Sequence, residues 1–279
     1  MRFADLVARS RSRPVIVGVL NVTPDSFSDG GLHLAPGRAV ARALEMMEEG
    51  ADLVEVGGES TAPGSRPLSA EEEWSRIGPV LEALAGRVPL VVDTYHADTA
   101  ARALGLGALA VNDVSALRAD PAMAATVARA GAGLVLMHAK DQPLPHASDR
   151  PAHYADVVAD IAAFLLRQAH AAIEAGVDSG AIVLDPGWGR FVSLDPEHSF
   201  ELLRRMDELV RRLDPFPVMV ALSRKGFLGG RLEERDPLSQ LAALHAVEKG
   251  ARFVRTHHVR MMRQFSELAC RLGRLPQGG

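Results

Sequence analysis

Eight short apolar runs recur along the chain, and a longer segment with helical patterning follows each of them. The runs are VIVGVL (15–20), DLVEV (52–56), LVV (90–92), LAV (109–111), GLVLM (133–137), AIVL (181–184), VMVAL (218–222) and RFV (252–254). Short apolar runs that alternate with helices are typical of a parallel sheet buried on both faces. Eight such units in 279 residues close most simply into an α/β fold, the (β/α)8 or TIM barrel. An open doubly wound sheet is the topological alternative, although no G-x-G-x-x-G pattern follows the first run.

The segments between these runs carry signals for where their helices begin. Ser69 followed by Glu72 predicts a capping box, in which each side chain bonds a backbone N–H of the other residue. Asp120, Asp195 and Asp236 each precede a proline and are expected to cap helices that begin with that proline. The helices are accordingly predicted at 36–49, 70–86, 97–105, 121–130, 154–175, 197–213, 237–249 and 259–273.

Composition and charge predict a single globular domain that handles small molecules. Hydrophobic residues make up 47% of the chain, and no Gly/Ser-rich linker or charge block divides it. We therefore expect one domain over residues 1–279, with the barrel core at about 15–273. The net charge is −4 and the basic residues are scattered, which argues against a nucleic-acid surface or a basic membrane anchor.

A cytoplasmic location is expected from three further features. The first apolar run ends after six residues at Asn21, which is too short for a signal peptide. No stretch approaches the roughly 18 apolar residues of a membrane span. The one cysteine, Cys270, cannot form an internal disulfide and is expected to be a small buried apolar residue.

Polar and ionisable residues cluster where the predicted strands end. They are Asn21 after the first strand, Glu59, Ser60 and Thr61 after the second, Asp93, then Asn112 and Asp113, His138, Asp185, then Ser223, Arg224 and Lys225, and finally Arg255 and His257. The carboxyl ends of barrel strands meet at one rim, so these groups converge on a single mouth. Any one of them could instead cap a polar turn, but their presence after all eight strands favours a site.

The residue types in this set indicate which kinds of ligand they could bind. Asp and Asn side chains on adjacent strands can hold a flat heterocycle by paired hydrogen bonds, because a carboxylate accepts two N–H bonds and an amide both donates and accepts. Lys225, Arg255 and His257 gather positive charge, which suits a departing phosphate group. The residues thus predict a heterocycle pocket beside an anion pocket.

Eight segments of the chain resemble, in order, the motifs of dihydropteroate synthases. They are GVLNVTPDSFSDGG (18–31), VGGESTAPGS (56–65), VDTYHADTA (92–100), VNDVSAL (111–117), LMHAK (136–140), LDPGWG (184–189), SRKGFLGG (223–230) and RTH (255–257). The match spans nearly the whole chain, and the N-x-T-P-D-S-F-S-D-G-G pattern is highly specific. It implies a pterin-binding TIM barrel and a transferase of folate biosynthesis. That reaction condenses 6-hydroxymethyl-7,8-dihydropterin pyrophosphate with p-aminobenzoate to give 7,8-dihydropteroate and pyrophosphate.

The resemblance also implies roles for individual residues, and a homodimer built on the late helices. The pterin would be held by Asp93, Asn112, Asp185 and Lys225, with Met137 lining its pocket and Arg255 stacked over its ring. The pyrophosphate and Mg²⁺ would be bound by Asn21, Arg255 and His257, with Asn21 as the metal ligand. The aminobenzoate site would be shaped by Phe27, Thr61, Pro63 and Gly189. Asp93, Asp185, Lys225, Arg255 and His257 are the implied catalytic residues.

The chain departs from the family pattern at four places. Ala62 replaces the arginine of S-T-R-P-G, and Arg66 is the nearest residue that could take over its contact with pyrophosphate. After D-P-G-x-G the family continues with F-G-K, whereas this chain has Arg190, Phe191 and Val192. Gly226 replaces the serine after S-R-K. His258 replaces the acidic residue that usually follows the histidine of R-x-H. The pterin residues are intact, and three of the four differences lie around the anion and aminobenzoate sites. Loss of the G-K pair after D-P-G-x-G, together with R-T-H after the last strand, is reminiscent of sulfonamide-insensitive synthases, and the departures predict sulfonamide resistance.

Two other functions fit part of the pattern. A pterin-dependent methyltransferase shares the Asp/Asn/Asp pterin clamp but does not need Lys225, His257 or the N-x-T-P-D-S-F-S-D-G-G loop. An inactive pterin-binding paralogue is suggested by Ala62 and by the altered 190–192 segment. Release of pyrophosphate from the pterin pyrophosphate distinguishes a synthase from both.

Overall fold

The eight predicted strands are present and form a nearly closed barrel. The computed structural model describes residues 1–23, 35–60, 65–141 and 150–275. Within these ranges the strands are β1 (Val15–Asn21), β2 (Leu53–Gly57), β3 (Leu90–Asp93), β4 (Ala110–Asp113), β5 (Gly133–Met137), β6 (Ile182–Asp185), β7 (Met219–Val220) and β8 (Phe253–Thr256). They pair in parallel in the order β6-β5-β4-β3-β2-β1-β8-β7. A parallel bridge between Leu184 and Val218 connects the two ends of this order.

Helices surround the barrel and separate its strands. They are α1 (Phe3–Arg9), α2 (Ala35–Glu48), α3 (Ala70–Leu84), α4 (Ala97–Gly105), α5 (Met123–Ala130), α6 (Val157–Glu174), α7 (Pro196–Arg204), α8 (Met206–Leu213), α9 (Leu232–Glu248) and α10 (Val259–Arg271). The capping box of Ser69 and Glu72 is confirmed at the start of α3, and Asp195 caps α7 with Pro196 at its first position. The helix predicted at 197–213 is two helices, divided at Arg205.

The two helix starts predicted from Asp120-Pro121 and Asp236-Pro237 are wrong. α9 begins at Leu232, five residues before Pro237, because the Glu234 carboxylate accepts the backbone N–H of Arg231 and fixes an earlier start. Pro237 therefore lies inside the helix and Asp236 does not cap it. α5 begins at Met123, after a turn in which the Asp120 carboxylate accepts the backbone N–H groups of Ala122 and Ala97. One carboxylate thus serves the starts of two neighbouring helices.

The alternation of side chains along the strands divides the barrel into layers. One set of strand residues packs outward against the helices, as Ile16, Val54 and Val92 do. The alternate set fills the lower interior and is apolar: Val15, Val17, Leu53, Val91, Ala110, Val135, Val183, Met219 and Phe253. Two residues further along five of these strands stand Glu55, Asp93, Asn112, Asp185 and Arg255. The interior therefore changes from apolar to charged at one level, towards the carboxyl ends of the strands.

The floor of the barrel is closed by α1, a helix that the sequence analysis did not predict. Phe3 and Leu6 are buried in the lower apolar layer, and the Phe3 ring lies 6.0 Å from the ring of Phe253. Gly133 begins β5 directly against Phe3, and a methyl group on Gly133 would overlap the phenyl ring. Glycine at this position is therefore what lets the helix seat under the strands.

Two predictions about exposure can be compared with the structure. In the parts of the chain that are described, no helix combines the length and the apolar character needed to cross a bilayer. Cys270 lies on α10 and is half-buried, whereas full burial was expected.

Candidate active site

A cavity of about 820 Å³ opens at the carboxyl ends of the strands. Its walls include residues that lie at or after the ends of six of the strands: Asn21, Glu59, Ser60, Asp93, Trp188, Gly189, Arg190, Phe191, Arg224, Lys225, Gly226, Phe227 and Arg255. Residues that the sequence placed after different strands are thus brought together at one mouth, as expected of this fold. Asn21, Asp93, Gly189, Lys225 and Arg255 are among them.

The centre of the mouth is an ion cluster around Arg255. Its guanidinium donates to Glu55 Oε1 at 2.5 Å and to Asp93 Oδ2 at 2.9 Å, so it links β8 to β2 and β3. Burial, and then the neighbouring charge of Glu55, raise the pKa of Asp93 well above its ordinary value, although Arg255 opposes the shift. In this arrangement Arg255 reaches across the mouth to both carboxylates.

Asn112 is held from the side by Glu55, a residue that the sequence analysis missed. The Asn112 amide nitrogen donates to Glu55 Oε2 at 3.1 Å, and both side chains are almost fully buried. The Asn112 carbonyl oxygen is buried with no hydrogen-bond partner among the described residues. Glu55 could have been found from the sequence, because it is the one charged residue within the apolar run LVEV. It lies two residues after Leu53, so the two side chains are expected on the same face of the strand.

Asp185 and Lys225 are two further charged residues near the mouth, and each influences the pKa of the other. Asp185 is buried and its Oδ1 accepts the backbone N–H of Gly187 at 2.8 Å. Burial raises the pKa of Asp185 to about 6, although the Gly187 N–H and the charge of Lys225 pull it down. Burial lowers the pKa of Lys225 to about 8, and the charge of Arg255 adds to this effect. The Lys225 ammonium lies 4.5 Å from the centre of the Phe191 ring, at cation–π distance.

The turn after Asp185 is fixed by the end of β5. The His138 backbone N–H donates to the Asp185 carbonyl at 2.8 Å, and a side chain at Gly187 would overlap the His138 carbonyl. Gly187 also has φ of +72°, a conformation that glycine adopts most readily. Burial lowers the pKa of His138 to about 3, and its ring packs edge-on against Phe164, so His138 supports the turn from behind.

The anion side of the mouth contains a short chain of polar side chains. The Ser223 hydroxyl lies 2.9 Å from His257 Nδ1, and the Asn21 amide nitrogen lies 3.4 Å from His257 Nε2. Burial, followed by the charges of Arg255 and Arg224, lowers the pKa of His257 to about 3. His257 is therefore a neutral hydrogen-bonding group at neutral pH, and the positive charge here comes from the arginines and Lys225.

His258 takes part in a cluster that replaces the expected acidic residue. Asp236 Oδ2 lies 2.7 Å from His258 Nε2, and Asp236 Oδ1 accepts from Arg224 at 3.2 Å. The carboxylate that orients Arg224 therefore comes from α9 and not from the position after His257. Arg224 has φ of +62°, an uncommon conformation for a residue other than glycine.

The remaining site residues fall into three groups. Met137 is buried behind the mouth, where it packs with Phe191 and Tyr95. Arg66 is exposed and bonds Glu72 Oε1 at 2.7 Å, so this structure does not bring it to the mouth. Phe27, Thr61 and Pro63, together with Ala62, lie outside the described residues.

The altered segment after Asp185 divides into a mouth-facing part and a buried part. Arg190 and Phe191 line the cavity, and Phe191 supplies the aromatic ring beside Lys225. Val192 is fully buried in the outer core, and its carbonyl accepts the Tyr154 hydroxyl at 2.8 Å. The expectation that Val192 flanks the substrate is therefore wrong, because its side chain packs away from the mouth. Gly226 does line the cavity, and a side chain there would meet nothing closer than Arg235 at 3.9 Å.

The comparisons with known proteins agree with this geometry. The family model described as pterin binding enzyme matches residues 17–257. A dihydropteroate synthase of Mycobacterium leprae is 44% identical over 260 residues, covering 88% of each chain. The chain belongs to the dihydropteroate synthase family. An Escherichia coli dihydropteroate synthase type-2 is 41% identical, over 89% of this chain and 92% of the relative. A Xanthomonas albilineans dihydropteroate synthase solved with 4-aminobenzoic acid superposes with a TM-score of 0.86 at 37% identity, covering 95% and 94% of the two chains.

The residues of this dihydropteroate synthase family member fit a magnesium ion that arrives with a phosphate group. Among the described residues there is no group of three or more His, Cys, Asp or Glu side chains that could hold a metal. Mg²⁺ at phosphate-transfer sites commonly takes one or two protein oxygens and fills its other positions with phosphate and water. Asn21 suits such a site, because it is exposed at the mouth and its contact with His257 uses the amide nitrogen, leaving the amide oxygen for a cation.

The raised pKa of Asp185 generates a prediction about stability. Folding raises this pKa from 3.8 to about 6, so the folded protein holds the proton more tightly than the unfolded chain does. The contribution of Asp185 to stability therefore falls as pH rises from about 4 to about 6, by roughly 1.4 kcal/mol for each unit of the shift. Asp185→Asn is expected to flatten this fall in urea-unfolding free energies measured across that range.

Asp195→Asn is the matched control, because Asp195 caps α7 on the surface and asparagine is also a good cap. Like Asp185→Asn it removes one carboxylate, and it should leave the free energy of unfolding at neutral pH close to that of the unaltered protein. An equal slope in the Asp185→Asn variant and the unaltered protein would contradict the assignment.

Proposed function

We propose that this chain condenses 6-hydroxymethyl-7,8-dihydropterin pyrophosphate with p-aminobenzoate, giving 7,8-dihydropteroate and pyrophosphate. The observation that carries the proposal is the meeting of two kinds of group at one mouth. Asp93 offers an acceptor in the cavity wall and Asp185 offers a buried one within reach of the charges of Lys225 and Arg255, while Lys225, Arg255 and Asn21 line the cavity with donors and positive charge. Asn21, which the family resemblance assigns to the pyrophosphate and its metal and not to the pterin, is the member that an inactive pterin binder would not need.

The mechanism follows from where the charges lie. The carbon–oxygen bond between the pterin methylene and the pyrophosphate breaks first, and both electrons leave with the pyrophosphate. Arg255 and Lys225, with the neutral ring of His257 as hydrogen-bond partner, bind the departing anion. Asp93 and Asp185 are positioned to stabilise the pterin cation left behind. The amine of p-aminobenzoate then attacks the methylene carbon and loses a proton.

Asn21 is the residue proposed to hold Mg²⁺. The bound ion would neutralise charge on the pyrophosphate. The contact between Asn21 and His257 keeps these two side chains side by side at the end of β1 and β8, so both can meet the same leaving group. A cytoplasmic location, expected from the sequence, stays a prediction.

The deciding experiment measures pyrophosphate release from the pterin pyrophosphate by the purified protein with p-aminobenzoate present. We expect turnover that requires Mg²⁺ and stops in EDTA.

Asp185→Asn should weaken pterin binding in calorimetry, because each charge-assisted contact contributes about 1.5–3 kcal/mol. His257→Ala should lower kcat while the pterin still binds.

Asp178→Asn is a suitable control, since Asp178 caps a short 3-10 helix (Ser179–Ala181) before β6, at the opposite end from the mouth. Pterin binding without pyrophosphate release would identify an inactive paralogue. Methyl transfer to a corrinoid in place of pyrophosphate release would identify the methyltransferase. Full activity in EDTA would contradict the role given to Asn21.

The substitutions at the cavity wall predict weakened sulfonamide inhibition. A sulfonamide shares the aminobenzoate ring but is bulkier beyond it, so changes at the wall can penalise the drug more than the substrate. Arg190→Phe with Gly226→Ser is expected to lower the ratio of sulfonamide Ki to p-aminobenzoate KM by roughly 10- to 200-fold. Val192→Lys is left out, because it would place a lysine in the core.

Gly37→Ser on α2 is the control for the added hydroxymethyl group, because open space surrounds Gly37. An unaltered protein as sensitive to sulfonamides as an ordinary synthase would show that the departures are neutral.

A homodimer is also proposed, with α9 in its interface. Leu238 and Leu241 are large exposed apolar residues on this helix, 42% and 61% exposed. They border a groove of about 440 Å³ that also includes Phe200, Leu228 and Leu244. A patch of this kind is costly on a monomer and suits a self-complementary contact. Leu241→Glu is expected to convert a dimer to a monomer in analytical ultracentrifugation.

Leu272→Glu places the same charge at an exposed leucine just past the end of α10, outside the groove, and should leave the dimer intact. A monomeric unaltered protein at micromolar concentration would refute the proposed interface.

A further inference from the structure

Glu55 is a buried charge whose two oxygens are engaged by different elements of the barrel. Its side chain is 1% exposed, on the inner side of β2. Oε1 accepts from the Arg255 guanidinium on β8, and Oε2 accepts from the Asn112 amide on β4. An ionised side chain is seldom buried in a protein unless it is paired. These two bonds connect β2 to β8 and to β4 at the level of the mouth.

The bond to Asn112 sets which way that amide faces. Because the amide nitrogen donates to Glu55, the carbonyl oxygen is the atom left over, and it is buried with no partner among the described residues. A buried acceptor without a donor lowers stability. A ligand N–H that bonds it therefore contributes more binding free energy than an ordinary hydrogen bond does, because it also relieves this cost. Glu55 thereby fixes Asn112 as an acceptor towards the ligand.

Asp93 and Glu55 share Arg255 but differ in access to the cavity. The Asp93 and Arg255 side chains are each 20% exposed and line the cavity, whereas the Glu55 side chain is 1% exposed and both of its oxygens are bonded within the barrel. A ligand that enters can therefore compete for Asp93 without reaching Glu55. If Asp93 were the one partner of Arg255, releasing it would leave a guanidinium unpaired near the barrel interior, at considerable cost.

We propose that Glu55 is a positioning residue, which holds Arg255 and Asn112 in place while Asp93 exchanges the guanidinium for N–H groups of the pterin. This inference rests on the proposed function, since it assigns a step in binding to the same pterin site. Arg255 then keeps its place between the heterocycle and the leaving pyrophosphate. Asn112 keeps its acceptor in register with Asp93, its neighbour across the β3–β4 pairing.

Substitution of Glu55 separates this role from general support of the fold. Glu55→Gln preserves the size of the side chain, removes its charge and presents an amide donor to Arg255 or Asn112. We expect the dissociation constant for the pterin pyrophosphate to rise about 10- to 150-fold, as for hydrogen bonds to a charged group. KM for p-aminobenzoate, whose site the network does not touch, should stay close to that of the unaltered protein. Glu55→Asp keeps the carboxylate and should recover most of the affinity.

Asp52→Asn is the matched control. Asp52 is a buried carboxylate immediately before the same strand, paired with Arg9 and Arg13 at the opposite end of the barrel. It should lower stability without changing pterin affinity. If Glu55→Gln lowers stability in the same way and leaves pterin affinity within about twofold, a difference of roughly 0.4 kcal/mol, Glu55 is a structural residue and the proposal is overturned.

A second measurement applies even if Glu55→Gln does not fold. In a crystal structure of the unaltered protein with pterin bound, Arg255 should keep its bond to Glu55 and lose its bond to Asp93. Departure of Arg255 from Glu55 would overturn the proposal. If the unaltered protein binds no pterin, the proposed function fails together with this inference; if it binds pterin and Arg255 leaves Glu55, the inference alone fails.

Discussion

The two-residue alternation of a closed parallel barrel is the constraint on which the rest of this structure depends. Each strand delivers every second side chain to the interior, so one apolar residue at the lower level is followed by one residue at the mouth. Leu53 is followed by Glu55, Val91 by Asp93, and Phe253 by Arg255. The same backbone geometry therefore places both the apolar core residues and the charged residues of the mouth. A shift of one residue in a strand would turn both sets away from the barrel interior.

The charged level holds together because its ions are arranged to neutralise one another. Three carboxylates, those of Glu55, Asp93 and Asp185, lie near the cations of Arg255 and Lys225. Burial disfavours the charged forms, so the pKa of Asp185 is raised to about 6 and the pKa of Lys225 is lowered to about 8. A mouth that carries both signs can meet a heterocycle and an anion together. Its groups are already in place before a ligand arrives, which reduces the cost of ordering them.

The sequence predicted the barrel and most of the mouth because both follow from local patterns. Short apolar runs and the polar residues directly after them are visible in the chain, and all eight strands lie within two residues of their predicted bounds. What it could not give depends on distant contacts. α1 forms because Phe3 and Leu6 find the barrel floor, and Arg66 turns to Glu72 because that carboxylate is near. Glu55 was overlooked because the polar residues considered were those at or after the ends of the strands, and Glu55 lies inside β2.

The seating of α1 under the strands has a consequence for how related sequences can vary. Phe3 occupies the space that any side chain at position 133 would need. An aromatic residue at one position and glycine at the other are therefore expected to covary, although most of a domain separates them in the chain. A lineage that loses the N-terminal helix is released from this constraint, and a larger residue at position 133 would then mark that loss.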